Sequence, residues 1–260
     1  KSLEVQADQT GLSRAKAPLK GEPQALVLDN VTYAYPGNVA AALSGVSLSL
    51  RRGECLGVIG AAGSGKTALA EVLAGAALPA SGAALIDGLA IADWQKTALA
   101  PRVGYVADNP LLLDGTVIEN ILRFKPASRD AAIDAAHRAG VHDILAALPR
   151  GYDTRVGAMG RSLSLRERRA IAFARALACE PAFIVIDTPE HGLDGFEARR
   201  LEQVLIELMS RGAGVVLLSN DGSLLALAHR RVLLERGHLS ALDMPRPIPM
   251  ATPVARASGL

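Results

Sequence analysis

Residues 26–33 and 46–50 alternate apolar and polar side chains, the spacing of half-buried antiparallel strands. Three later runs do not alternate. Residues 183–186, 214–218 and 232–234 are almost wholly apolar, which suits strands covered on both faces and hence a parallel sheet. Shorter strand-like pieces fall at 54–59, 84–86 and 103–106. Between them, apolar spacing predicts helices over 68–74, 128–147 (stopped at Pro149), 164–178 and 195–211. Ser164 stands as the N-cap of the third, with Glu167 three residues on as in a capping box. The last helix connects two of the apolar runs in the right-handed crossover sense. The pattern predicts an α/β fold with an inserted helical lobe near residues 107–180. The ends lack periodicity. Residues 1–23 read as a polar linker or arm, and 243–260 as a proline-rich flexible tail.

Composition narrows the partners. A chain of 260 residues, half of them apolar, suits one large domain or two lobes sharing a sheet. The net charge is only +2, too small an excess to argue for DNA, RNA or a membrane surface. Aromatic residues make up 3%, which weighs against a single-strand stacking platform, so no nucleic-acid partner is expected. Arg-Arg pairs at 51–52, 168–169, 199–200 and 230–231 read as solvated faces. Cys55 and Cys179 sit in apolar neighbourhoods without metal-ligand spacing, as reduced, buried thiols of a cytoplasmic protein do. No apolar run approaches the ~20 residues of a membrane-spanning helix, and no secretion signal is present. Lys1 in place of Met points to a piece of a longer polypeptide.

The chemistry is concentrated in residues 60–67. Four residues separate Gly60 from the Gly65-Lys66-Thr67 triplet, the spacing of a phosphate-binding loop. Gly60, Gly63 and Gly65 let the backbone curl, so that successive N–H groups, with Ser64 among them, face a polyphosphate. Lys66 reaches the outer phosphates, the Thr67 hydroxyl holds Mg²⁺, and a helix beginning at Lys66 adds its positive end. A strand before and a helix after set this apart from a glycine-rich turn that binds nothing. By itself the loop says nucleoside triphosphate. Asp187, ending the apolar run at 183–186, is placed to help hold Mg²⁺; the plainer reading is a cap on a strand-to-loop turn.

With these pieces the chain resembles the nucleotide-binding domain of an ATP-binding cassette (ABC) transporter of exporter type, over about residues 24–242. Residues 33–37 resemble the family's opening aromatic loop, 103–121 the segment around its glutamine loop, 151–157 the approach to the signature motif, and 172–177 the helix after it. The resemblance implies a P-loop (RecA-like) core with an antiparallel β subdomain and an inserted α-helical subdomain, binding ATP and Mg²⁺. It implies that Tyr35 stacks on adenine, against ordinary turn packing. It also implies a second such domain as partner, in a homo- or heterodimer with two ATP molecules sandwiched head to tail. A transmembrane domain, N-terminal in the same polypeptide or on a separate chain, would place the assembly on the cytoplasmic face of the cell membrane.

The departures from the family pattern fall on catalytic positions. Leu163, Ser164, Leu165, Arg166 and Glu167 stand where the family has LSGGQ, so both glycines that admit the γ-phosphate are replaced. Arg166 offers a charge in a different geometry. Asp108 holds the glutamine-loop position, Thr188 that of the water-orienting glutamate, and Asn220 that of the switch histidine. Thr lacks a carboxylate to polarise water. Glu190 is close in sequence but turned elsewhere by Pro189, and His191 reads as an exposed loop residue. Asp194 survives as the last residue of the loop before the following helix. The Thr188 and Asn220 changes affect the site on this chain's own loop, and the altered signature affects the partner's. The expectation is ATP·Mg²⁺ binding with very slow or absent hydrolysis. The alternatives are a soluble regulatory ABC-type protein without a membrane partner, and an active ATPase with unusual residues.

Overall fold

The computed structural model describes residues 23–99, 101–191 and 193–242. The expected linker (but for Pro23) and the expected tail lie outside the described residues.

Four strands form an antiparallel sheet. Its centre is β1 (Ala25–Tyr33), flanked by β2 (Leu43–Arg51) and β4 (Ser81–Ile86), with the short β5 (Leu89–Ala90) beyond. Six form the second sheet, in the order β10 (His238–Leu242), β9 (Arg230–Glu235), β3 (Cys55–Ile59), β8 (Gly214–Leu218), β7 (Phe183–Asp187) and β6 (Val103–Val106). All neighbours in it are parallel except β9 and β10.

The unbroken apolar runs have a direct cause. In β7, Phe183 and Val185 point into one core while Ile184 and Ile186 point into the other, and β8 divides Val216 and Leu218 from Val215 and Leu217 in the same way. Every residue of both strands is buried. The first core lies under the antiparallel sheet and α1 (Lys66–Leu73). The second is closed by α3 (Val117–Ile121), α4 (Arg129–Arg138), α5 (His142–Ala146) and α6 (Leu165–Leu177), together with α7 (Gly195–Ser210). Two short helices, α2 (Lys96–Leu99) and α8 (Gly222–Leu225), complete the set. Helix α6 lies so close on β6 that a Cβ on Gly104 would stand 2.9 Å from the Ala176 carbonyl oxygen.

Several expectations need correction. The helix predicted over 128–147 is two helices, because Gly140 takes φ +67°. Its N–H donates to the His137 carbonyl and that of Val141 to the Ala136 carbonyl, both at 2.9 Å, a Schellman stop. Strand β9 is not covered on both faces: only Leu234 in it is fully buried, since β9 lies one strand from the sheet edge. Strand β10 was not anticipated. It returns from β9 through a two-residue turn at Arg236 and Gly237, φ +48° and +80°. Cys55 is buried, but Cys179 is only half-buried. No helix among the described residues is long and apolar enough to cross a membrane.

Candidate functional site

The loop of residues 60–67 joins β3 to α1. Gly63 and Gly65 take φ +77° and +107°, and a Cβ on Gly65 would stand 2.5 Å from the Ala42 carbonyl oxygen. Gly65 caps α1 without a side-chain bond, so the first N–H groups of the helix face the loop. The Ser64 hydroxyl is buried without a hydrogen-bond partner, an orphan that a phosphate oxygen satisfies. The Lys66 ammonium donates to the carbonyls of Gly60 (2.5 Å) and Ala61 (3.1 Å). Cradle, lysine and orphan hydroxyl all fit a polyphosphate.

Thr67 Oγ1 donates to Asp187 Oδ2 at 2.8 Å across 120 residues of sequence. The other carboxylate oxygen of Asp187 accepts from Thr188 Oγ1 at 3.1 Å. Burial raises the Asp187 carboxyl above its usual range, with the Thr67 and Thr188 hydroxyls opposing and the Asp108 charge adding to the rise. A hydroxyl beside a carboxylate under a phosphate cradle fits Mg²⁺, which takes few protein ligands and several from phosphate and water. Tyr35 packs edge-on to Tyr33 (centroids 5.1 Å apart). Burial, with Glu71, pushes the Tyr35 phenol up to about 12. Tyr105, raised by burial in the same way, senses Asp187, Glu71 and Tyr35.

Asn220 clasps Gly60 at two points: its Nδ2 donates to the Gly60 carbonyl (3.0 Å), and its Oδ1 accepts the Gly60 N–H (3.2 Å). Glu190 is held beside Asn220. Its carboxylate accepts from Ser219 Oγ (2.8 Å) and the Asn220 N–H (3.1 Å) at the end of β8.

Arg169 contradicts the reading of its Arg-Arg pair as a solvated face. It is buried on α6 and donates to the Asp108 carbonyl (2.8 Å), Asp108 Oδ1 (2.5 Å), the Thr188 carbonyl (2.6 Å) and the His191 carbonyl. His191 is exposed, as expected, but its Nδ1 lies 3.0 Å from Asp108 Oδ1. Arg169 shares its stripe with buried Phe173 and Ala176, four and seven residues on. A charge on an apolar stripe was the signal that could have found it.

The ABC transporter family profile matches residues 43–191. This chain belongs to the ABC transporter family. Among its relatives, the type I secretion system ATP-binding protein PrsD of Rhizobium meliloti is 34% identical over 88% of this chain and 40% of that protein. The leukotoxin translocation ATP-binding protein LktB of Mannheimia glucosida is 33% identical over 82% of this chain and 30% of that protein. A solved bacterial Atm1-family ABC exporter with ATP bound superposes with a TM-score of 0.75 at 29% identity, covering 86% of this chain and 40% of that one. This chain thus spans about two-fifths or less of these relatives' lengths. The fold is that of an ABC ATP-binding domain, and the relatives favour the transporter reading over a regulatory protein without a membrane partner.

Residues 163–167 lead into α6. Ser164 caps the helix in a capping box with Glu167. Leu163 packs partly against the helical-lobe core and Leu165 is exposed. Arg166 Nε donates to Glu197 Oε1 at 2.6 Å, and Glu197 in turn belongs to the capping box of Asp194 at the start of α7. Arg166 and Glu167 are both engaged within the chain.

Proposed function

We propose that this chain is the ATP-binding module of an exporter-type ABC transporter in which binding of MgATP, rather than its turnover, is the working event. The observation that carries this reading is the Thr67–Asp187 pair beneath a complete phosphate cradle, beside a residue, Thr188, that has no carboxylate. Gly60, Gly63, Ser64, Gly65 and Lys66 hold the phosphates, Tyr35 faces the base, and Thr67 with Asp187 holds Mg²⁺. The ion would supply positive charge that offsets the negative charge of the phosphates. Thr188 has no carboxylate, the Asn220 amide is taken up by Gly60, and Asp108 Oδ1 is bonded to Arg169, so none of the three is set to activate water.

The partner is a second ABC domain, met through the segment 163–167 and Asp194. Membrane-spanning segments in the same polypeptide or on a separate chain would place the assembly at the cytoplasmic face of the cell membrane. Calorimetry with magnesium and a nonhydrolysable ATP analogue tests the binding half: heat of association is expected at micromolar to millimolar ligand, and its absence overturns the reading. Steady-state phosphate release tests the other half. Turnover no higher than that of Lys66→Ala is expected.

A further inference from the structure

Thr188 has a backbone ill suited to its type. Its φ is +49°, and it is the only β-branched residue with a positive φ among the described residues. A branch at Cβ crowds the left-handed region, and the Pro189 that follows favours extended backbone instead. Two bonds hold the residue in place. Its N–H donates to the Leu218 carbonyl at 2.8 Å, and its carbonyl accepts from Arg169 Nη2 at 2.6 Å. Strain of this kind persists only where the surroundings over-determine it, and it collects at functional sites. What the conformation achieves is a side-chain bond. Thr188 Oγ1 turns back onto the preceding residue and donates to Asp187 Oδ1 at 3.1 Å, while Asp187 Oδ2 accepts from the Thr67 hydroxyl. Each oxygen of this buried carboxylate therefore has its own hydroxyl partner, and the group cannot turn without breaking both bonds.

We propose that Thr188 is a positioning residue for the divalent ion: its strained backbone is kept because its hydroxyl clamps Asp187 with the other carboxylate oxygen turned to Thr67. The proposal rests on the nucleotide-binding reading above. It gives the residue at the position of the missing carboxylate a task in binding rather than in turnover. Carboxylates that hold a metal are themselves hydrogen-bonded, and loss of the group that orients one typically weakens the metal tenfold or more. The bond falls on Oδ1 and leaves Oδ2, on the side of the Thr67 hydroxyl, as the oxygen offered to the cation.

The test is the affinity of the full chain for a nonhydrolysable ATP analogue, measured by calorimetry with saturating Mg²⁺ and again in EDTA. The ratio of the two constants reports the hold on the ion. Thr188→Val keeps the side-chain shape and removes the hydroxyl. It is expected to lose about tenfold in affinity with Mg²⁺ and nothing in EDTA, because the hydroxyl serves the metal and not the nucleotide. Thr188→Ser keeps the hydroxyl and is expected to match the wild type. Thr188→Gly suits the left-handed backbone but lacks the hydroxyl, so it is expected to fold and to lose as much as Thr188→Val; it keeps the test open if Thr188→Val does not fold. An undiminished gain from Mg²⁺ in folded Thr188→Val or Thr188→Gly overturns the proposal. So does a loss of equal size in EDTA, which a merely structural role would give, or a Thr188→Ser that falls with Thr188→Val. Wild-type affinity that is the same in both arms overturns it as well. Wild-type binding in neither arm defeats the nucleotide-binding reading itself.

Discussion

At the scale of the residue, Lys66 is the side chain whose loss is most diagnostic. Its ammonium rests on the Gly60 and Ala61 carbonyls and has no part in either core. Lys66→Ala is expected to weaken nucleotide binding by more than about tenfold, the scale of a lost charge-assisted hydrogen bond, with the unfolding midpoint nearly unchanged. Titration calorimetry and thermal unfolding on the same sample check both halves. The cradle was legible in the sequence because its parts are contiguous and the backbone, rather than distant side chains, does most of the work. Asp187 was legible because a buried strand ending in an acid is unusual. The burial of Arg169 was readable from its apolar stripe, but its partners were not: they lie 61 residues away at Asp108 and about 20 away at Thr188 and His191, and no local spacing encodes such a meeting.

At the scale of the element, helix ends decide the outcome. Among the described residues three capping boxes occur, at Thr116/Glu119, Ser164/Glu167 and Asp194/Glu197, and only the second was anticipated. That one preceded a long apolar stripe, whereas α3 has only five residues and shows no periodicity of its own. Ser164→Ala is expected to cost about 1 kcal/mol, measured by urea unfolding, because the Glu167 N–H loses its acceptor. Gly140 separates α4 from α5, yet the apolar spacing runs through it unbroken, and this hid the stop. A Cβ there would stand 3.1 Å from Arg200 Cγ and Val204 Cγ2 as well as adopting a left-handed backbone. Gly140→Ala is expected to destabilise by roughly 1–2 kcal/mol. Differential scanning calorimetry should show this as a fall of a few degrees in Tm.

At the scale of the whole molecule, two cores share one sheet, and that arrangement was readable in outline from apolar runs too uniform for a half-exposed sheet. The edge was not readable, since β10 is mostly exposed and carries no alternation. Carboxylates set the acid limit. Hydrogen bonds from Thr116 to Glu119, from Arg200 to Asp143, from Glu197 to Asp194 and from Ser223 to Asp221 hold all four acids below their ordinary range. Each therefore contributes stability that is present above its unfolded pKa and lost as pH falls through the lowered folded value. Asp187, raised by burial, acts in the opposite sense and at higher pH: it detracts from stability above its raised folded value, and this penalty fades as pH falls toward its unfolded value. The Tm is expected to hold from neutrality to about pH 5 and to decline below about pH 4. The two cysteines turn the same architecture into an instrument. Burial pushes the Cys55 thiol up to about 12 at the start of β3, while Cys179 is partly open just past the end of α6. Alkylation of the native chain should stop at one equivalent. The second should be consumed only as fast as the central strand comes apart, so a plain maleimide trace clocks the opening of the innermost layer without any engineered label.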